Sequence, residues 1–105
     1  MANTEKKIQW IEGGKQLGKV FSFEINEKKI WSSVGIQKWR EKYQVYVDEI
    51  EEEDLAAEKY LREEIKKFDN LSDALQFIEQ HTRTNLTEMQ ICKGQKIFNP
   101  NFELG

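Results

Sequence analysis

Leu55-Ala56-Ala57-Glu58-Lys59-Tyr60-Leu61-Arg62-Glu63-Glu64-Ile65-Lys66-Lys67-Phe68 is the stretch on which the architecture turns. Ala57, Leu61, Ile65 and Phe68 recur at helical spacing. Glu58/Arg62, Lys59/Glu63 and Glu63/Lys67 are opposite charges four apart, pairs that sit side by side on a helix. The acidic run Glu51-Glu52-Glu53-Asp54 comes before this stretch and Lys66-Lys67 stands near its end, the charge order that a helix dipole favours. A helix over residues 55–68 is therefore the expectation. Its rival is a strand over Tyr60–Phe68, hairpinned to the preceding strand through a long acidic loop.

Upstream, Tyr43-Gln44-Val45-Tyr46-Val47-Asp48 is rich in β-branched and aromatic residues and reads as a strand. Residues 19–26 form the clearest alternation, with Phe21, Phe23 and Ile25 on one face and Ser22 and Glu24 on the other. Asn26-Glu27-Lys28-Lys29 reads as a turn. Residues 30–39 form another extended stretch, in which Gly35 marks a bulge, and Arg40-Glu41-Lys42 is a short connection to the next strand. Residues 7–12 read as a short strand stopped by Gly13-Gly14.

Downstream, Leu71, Ala74, Leu75 and Ile78 form the apolar stripe of a helix over Leu71–His81, with Asn70 or Ser72 as its cap and Asp73 in its first turn. Met89 and Ile91 alternate as a further strand, and the chain is irregular from Gly94 onward around its one proline, Pro100. The expected fold is α+β, an antiparallel meander of four to five strands packed against one or two helices, as a single domain over residues 1–105. Its expected core is Trp10, Phe21, Phe23, Ile25, Val34, Ile36, Val45, Val47, Leu61, Ile65, Leu71, Leu75 and Ile78.

At 105 residues the chain is long enough to bury a core without staples, and its 11% aromatic content sets it apart from disordered chains. The net charge of −3 conceals a division. Residues 1–43 carry nine Lys/Arg against five Glu, whereas residues 44–80 carry four against twelve Asp/Glu. The start, Met1-Ala2-Asn3-Thr4-Glu5-Lys6-Lys7, has no apolar run of the secretory kind, so a cytoplasmic protein without membrane association is expected. Cys92 is the sole cysteine, which leaves no intramolecular disulfide and no zinc site built on cysteines.

Gly13-Gly14-Lys15-Gln16-Leu17-Gly18-Lys19 matches the spacing of a phosphate loop, yet Val20 stands where Ser or Thr must hold magnesium and the segment that follows is a strand. His81, at the end of a helix, has no partner that the sequence places beside it for acid–base work. Cys92 reads as a small packed residue, although Lys93 beside it favours a thiolate if the site is exposed. The carboxylates from Asp48 to Asp54 lack the alternate spacing, central glycine and closing glutamate of a calcium loop. Asn85-Leu86-Thr87 matches a glycosylation sequon only by the composition of a polar loop.

No catalytic, cofactor-binding or metal-binding residues are therefore assigned, and no enzymatic activity or cofactor is expected. The leading reading is a protein–protein interaction or regulatory domain whose partner is another protein or a second copy. Its contact residues are Trp31, Lys38, Trp39, Arg40, Lys42, Tyr43 and Tyr46, with Glu51, Glu52, Glu53 and Asp54 as an acidic docking element. The alternative is a single-stranded nucleic-acid binder in which the aromatic and basic residues of the 28–46 hairpin stack bases and neutralise phosphates.

Overall fold

The computed structural model describes residues 2–92 and 94–101. Helix α1 (Ala2–Glu12) leads into strand β1 (Leu17–Ile25), followed by β2 (Lys28–Trp39), β3 (Lys42–Glu51), β4 (Tyr60–Phe68), helix α2 (Leu71–His81) and the two-residue strand β5 (Gln90–Ile91). β1 to β4 run as an antiparallel meander, and β5 joins the free side of β1, giving the order β4-β3-β2-β1-β5. The fold is the expected α+β arrangement, with a five-strand antiparallel sheet packed against two helices.

Two expected elements are corrected. Residues 55–68 are not a helix: Tyr60–Phe68 is an edge strand paired with β3, and Glu58 takes a left-handed φ of 52° that interrupts any helix there. Residues spaced by four share a face in a strand as well as in a helix, so Leu61/Ile65 and Glu63/Lys67 fit either. Phe68, three positions after Ile65, separates the two: it packs on Phe77 of α2, with ring centroids 5.4 Å apart. Arg62 spends its charge on Glu49 across the ladder at 3.8 Å and on Glu64 at 3.2 Å.

Residues 7–12 are not a strand but the end of α1, because Ile8 and Ile11, three apart, turn to one side and Ile11 is fully buried. The two glycines close that helix. The Gly14 N–H donates to the Ile11 carbonyl and the Lys15 N–H to the Trp10 carbonyl, both at 2.9 Å, with Gly14 at φ +90° where a side chain is strained. Helix α2 has its expected bounds, and the Asn70 side chain caps it by accepting from the Asp73 N–H at 2.8 Å.

Both helices cover one face of the sheet. Ile11, Leu17, Val34, Ile36, Tyr43, Val45, Val47, Ala74, Ile78, Leu86 and Met89 form the core between them. Of the expected core, Val34, Ile36, Val45, Val47 and Ile78 are buried there, and Trp10, Phe21, Leu71 and Leu75 pack partly against it. Phe23 and Ile65 are half-buried. Ile25 and Leu61 are exposed: Ile25 ends an edge strand, and Leu61 is the extra residue where the β3–β4 register shifts between Glu49 and Ile50. The Lys7 ammonium ties α1 to the far end of the chain by donating to the carbonyls of Leu86 at 3.3 Å and Thr87 at 2.7 Å.

The opposite face is covered by a strap, residues 97–100. Phe98 stacks on Tyr46 with centroids 5.5 Å apart and planes 9° from parallel, above the bare surface of Gly35. Gln16 holds the strap down. Its carboxamide oxygen accepts from the Ile97 N–H at 2.7 Å, and its amide donates to the Phe98 carbonyl at 2.8 Å and to Gln37 at 2.9 Å. Gln37 in turn donates to the Gly14 carbonyl at 3.0 Å. Gly18 is needed for the close approach, since a Cβ there would meet Ile97 at 2.2 Å and the Val34 carbonyl at 2.7 Å.

Both tight hairpins place non-glycine residues at positive φ, Asn26 and Glu27 in the first and Arg40 and Glu41 in the second. Such two-residue turns favour Asn-Gly. Glu41→Gly is expected to raise unfolding free energy by about 0.5–1 kcal/mol, since the left-handed region costs a side-chain-bearing residue about 1–2 kcal/mol. Gln16→Ala orphans buried groups on Gln37 and the strap and is expected to lower it by about 2–4 kcal/mol. Urea unfolding of both variants reads the two effects.

Candidate functional site

The β2–β3 hairpin divides the expected contact residues between two faces and two ends. Lys38 and Tyr43 point to the helix side. The Tyr43 hydroxyl donates to Glu12 at 2.5 Å, and the Lys38 ammonium reaches the same carboxylate at 3.3 Å. The Tyr43 hydrogen bond, with Lys38 adding to it against the effect of burial, holds Glu12 below the usual carboxylate range. The same bond pushes the Tyr43 phenol up.

Tyr46 lies on the strap side, buried under Phe98. Its hydroxyl is 2.9 Å from both Asp48 Oδ2 and Glu63 Oε2. A phenol has one proton, so it donates to one carboxylate, and the other contact is a hydrogen bond only when that carboxyl is protonated and donates to the phenol oxygen. Burial raises Asp48 above its ordinary value of 3.8, against the hydrogen bonds from Tyr46 and the Ser33 N–H. Burial, reinforced by the two carboxylates, keeps the Tyr46 phenol far above its own range.

Trp31 sits at the other end of β2, among the acidic residues. Its indole N–H donates to Glu52 at 3.1 Å, and the Lys29 ammonium lies 4.8 Å from its ring. Lys28 reaches Glu51 at 3.5 Å and Glu53 at 3.6 Å, and Lys29 reaches Glu52 at 3.7 Å. Attraction to Glu51, then Glu53, raises the Lys28 ammonium. The acidic run is therefore the end of β3 and a short 3₁₀ turn, Glu52–Asp54, folded against the basic start of β2. Asp54 closes the turn, its carbonyl accepting from the Ala57 N–H at 3.2 Å.

Trp39, Arg40 and Lys42 stand together at the opposite end. With Gln44, Lys67, Pro100 and Asn101 they line a cavity of about 110 Å³. Register places Gln44 beside Gln37 on one side and Lys67 on the other. The strap's Pro100 and Asn101 complete the wall. Arg40 forms no ion pair among the described residues, and its guanidinium lies 5.8 Å from the Trp39 ring. Lys42 pairs with Asp69 on the surface. Gln44 is only 3% exposed, and its carboxamide oxygen is buried without a hydrogen-bond partner among the described residues. An acceptor left so costs about 1–3 kcal/mol. Gln44 escaped the sequence reading because nothing in a strand pattern tells an orphaned glutamine from a satisfied one such as Gln37.

The remaining candidates stay dispersed. His81 is exposed, its ring 5.2 Å from that of Phe77 and its carbonyl accepting from Arg62 at 2.8 Å. Cys92 is half-buried, and burial raises its thiol. Lys93, expected to favour its thiolate, lies outside the described residues. Among the described residues no group of three or more His, Cys, Asp or Glu could hold a metal ion, and no helix is long and apolar enough to cross a membrane. No protein-family model, curated protein or solved structure matches the chain.

Because the folded state holds the Asp48 proton more tightly than the unfolded chain, Asp48 contributes a stability that falls as pH rises from 3.8 through its raised value. Asp48→Asn keeps a carbonyl for the Ser33 N–H and removes the titration. Unfolding midpoints across that window are expected to decline with pH more steeply in the wild type than in the variant, and parallel profiles would contradict the assignment.

Proposed function

We propose that this chain is a non-catalytic interaction domain that docks through the open edge of its sheet, with a second copy of itself as the partner. The observation that carries this is the contrast between the two edges. β5 covers the outer side of β1 only at Leu17 and Gly18, so on that side residues 19–25 have no strand beside them among the described residues, while β2 pairs with them on the other. A free edge offers a row of backbone donors and acceptors to any extended chain.

The outer edge, β4, carries Arg62, Glu63, Glu64, Lys66 and Lys67, the kind of charge that blocks edge pairing. The β1 edge is Lys19-Val20-Phe21-Ser22-Phe23-Glu24-Ile25, and its lysine is already held by Glu88 at 2.8 Å. Val20 and Ile25 are exposed, at 58% and 41%. Arg83 lies 4.0 Å from the Phe23 ring and Lys19 lies 5.5 Å from the Phe21 ring, which orders both aromatics on the helix side.

Two such edges pair antiparallel about a two-fold axis at Ser22, and Phe21 of one copy then faces Phe23 of the other on the helix side. Reciprocal aromatic pairs of this kind each add about 0.2–1 kcal/mol.

Sedimentation equilibrium at high protein concentration is expected to give twice the chain mass, with slow amide exchange over residues 19–25. Val20→Lys, at an exposed position, is expected to return the monomer mass and fast exchange. A wild type that stays monomeric, or a dimer that Val20→Lys leaves intact, rejects the proposal.

A further inference from the structure

We infer that the cavity at the end of the β2–β3 hairpin binds a nucleotide whose base carries an exocyclic amine, either free or at the end of a single strand. This inference is independent of the edge described above, which lies on the far side of β2. The chemistry follows from four side chains on two strands and the turn that joins them. Trp39 offers an aromatic surface at the rim. Arg40, free of any ion pair among the described residues, stands beside that ring at 5.8 Å, and Lys42 lines the same wall. Gln44 lines the cavity, and its carboxamide oxygen is buried and has no donor among the described residues.

Each feature selects part of the ligand. Lys42 is already held by Asp69, so Arg40 is the cation that calls for an anion, and a guanidinium suits the two oxygens of a phosphate. An indole at the rim suits a planar π-system, the stacking surface that every base provides. The orphaned carboxamide oxygen calls for an N–H donor, which cytosine and adenine present through their exocyclic amines and uracil lacks at the matching position. The volume of about 110 Å³ falls well below the roughly 300 Å³ at which sites begin to enclose whole ligands. The cavity thus takes one ring or its edge, and the phosphate stays outside among the cations.

The geometry also separates this site from the rest of the basic hairpin. Lys28 and Lys29 are occupied by the acidic run, and Lys38 is held by Glu12 on the opposite face. Arg40 is the hairpin cation without a carboxylate, and it occupies a left-handed turn position at φ 53° that favours Asn or Gly.

The test is a titration of the ¹⁵N-labelled full chain with cytidine 5′-monophosphate, uridine 5′-monophosphate and inorganic phosphate at low salt. The Trp39 indole N–H signal, assigned by its loss in Trp39→Phe, is the readout. Cytidine monophosphate is expected to shift that signal and to bind about fivefold more tightly than uridine monophosphate, the worth of one neutral hydrogen bond. Gln44→Leu is expected to abolish the difference while keeping residual binding, and Arg40→Ala, at an exposed turn, to weaken both nucleotides severalfold. Binding should also weaken with added salt.

An unmoved Trp39 signal overturns the inference. So does equal or reversed preference between the nucleotides, or a wild-type preference that Gln44→Leu leaves unchanged. If inorganic phosphate alone reproduces the shift and affinity, the site is a simple anion site and the base is not recognised.

Discussion

The Gln16 carboxamide is the contact on which the second face of this sheet depends. One side chain, 4% exposed, fastens Ile97 and Phe98 to the loop between α1 and β1 and orients Gln37 on β2. Its bonds form where water is excluded, so each lost partner leaves a buried polar group unsatisfied. The strap they secure sets everything else on that side. Phe98 closes over Gly35 and Tyr46, Tyr46 is held against Asp48 and Glu63, and Pro100 becomes a wall of the Trp39 cavity. An antiparallel sheet commonly keeps one face in water. Here the second face is partly dry because a strap without secondary structure of its own is pinned by hydrogen bonds.

The charge division along the sequence is resolved by contact. The acidic run after β3 folds over the first lysines of β2, and Glu12, Asp69 and Glu88 take up Lys38, Lys42 and Lys19. These pairs are largely exposed and contribute little to stability. Their effect is on the surface charge, because they pair five of the nine basic residues of the first part of the chain. Lys6, Lys15 and Arg40 have no acidic partner among the described residues, and of these Arg40 stands at the hairpin end.

How much of this was readable from the sequence depends on whether a residue's role is set by its neighbours in the chain or by register. Helix α2 was readable to its bounds, because its apolar stripe includes three-residue steps that no strand shares and Asn70 supplies a local cap. The β1–β3 alternation was equally plain. Residues 55–68 misled because spacings of four satisfy both periodicities, and the cross-strand partners that decide the matter, Glu49 for Arg62 and Val45 for Lys66, lie far away in the chain. In α1, the two glycines end a helix, and glycine stops a strand equally well. Trp39, Arg40 and Lys42 were singled out from the sequence, but Gln44, Lys67 and Pro100 join them only through strand pairing and the strap.

The strap and the Lys7 contact together tie residues 7–18 to residues 86–98. Lys7 must find the carbonyls of Leu86 and Thr87, β1 receives β5, and Gln16 receives Ile97 and Phe98. Each contact closes a loop of about seventy to eighty residues, whose closure entropy has to be met before the contact forms. During synthesis the β1–β4 meander can form early, with its second face still wet and its first helix still loose. Completion waits until the residues around Phe98 have left the ribosome. A stalled or prematurely ended chain would therefore show its apolar strip of Gly18, Gly35 and Tyr46 to the cell, a ready signal for chaperones and proteases.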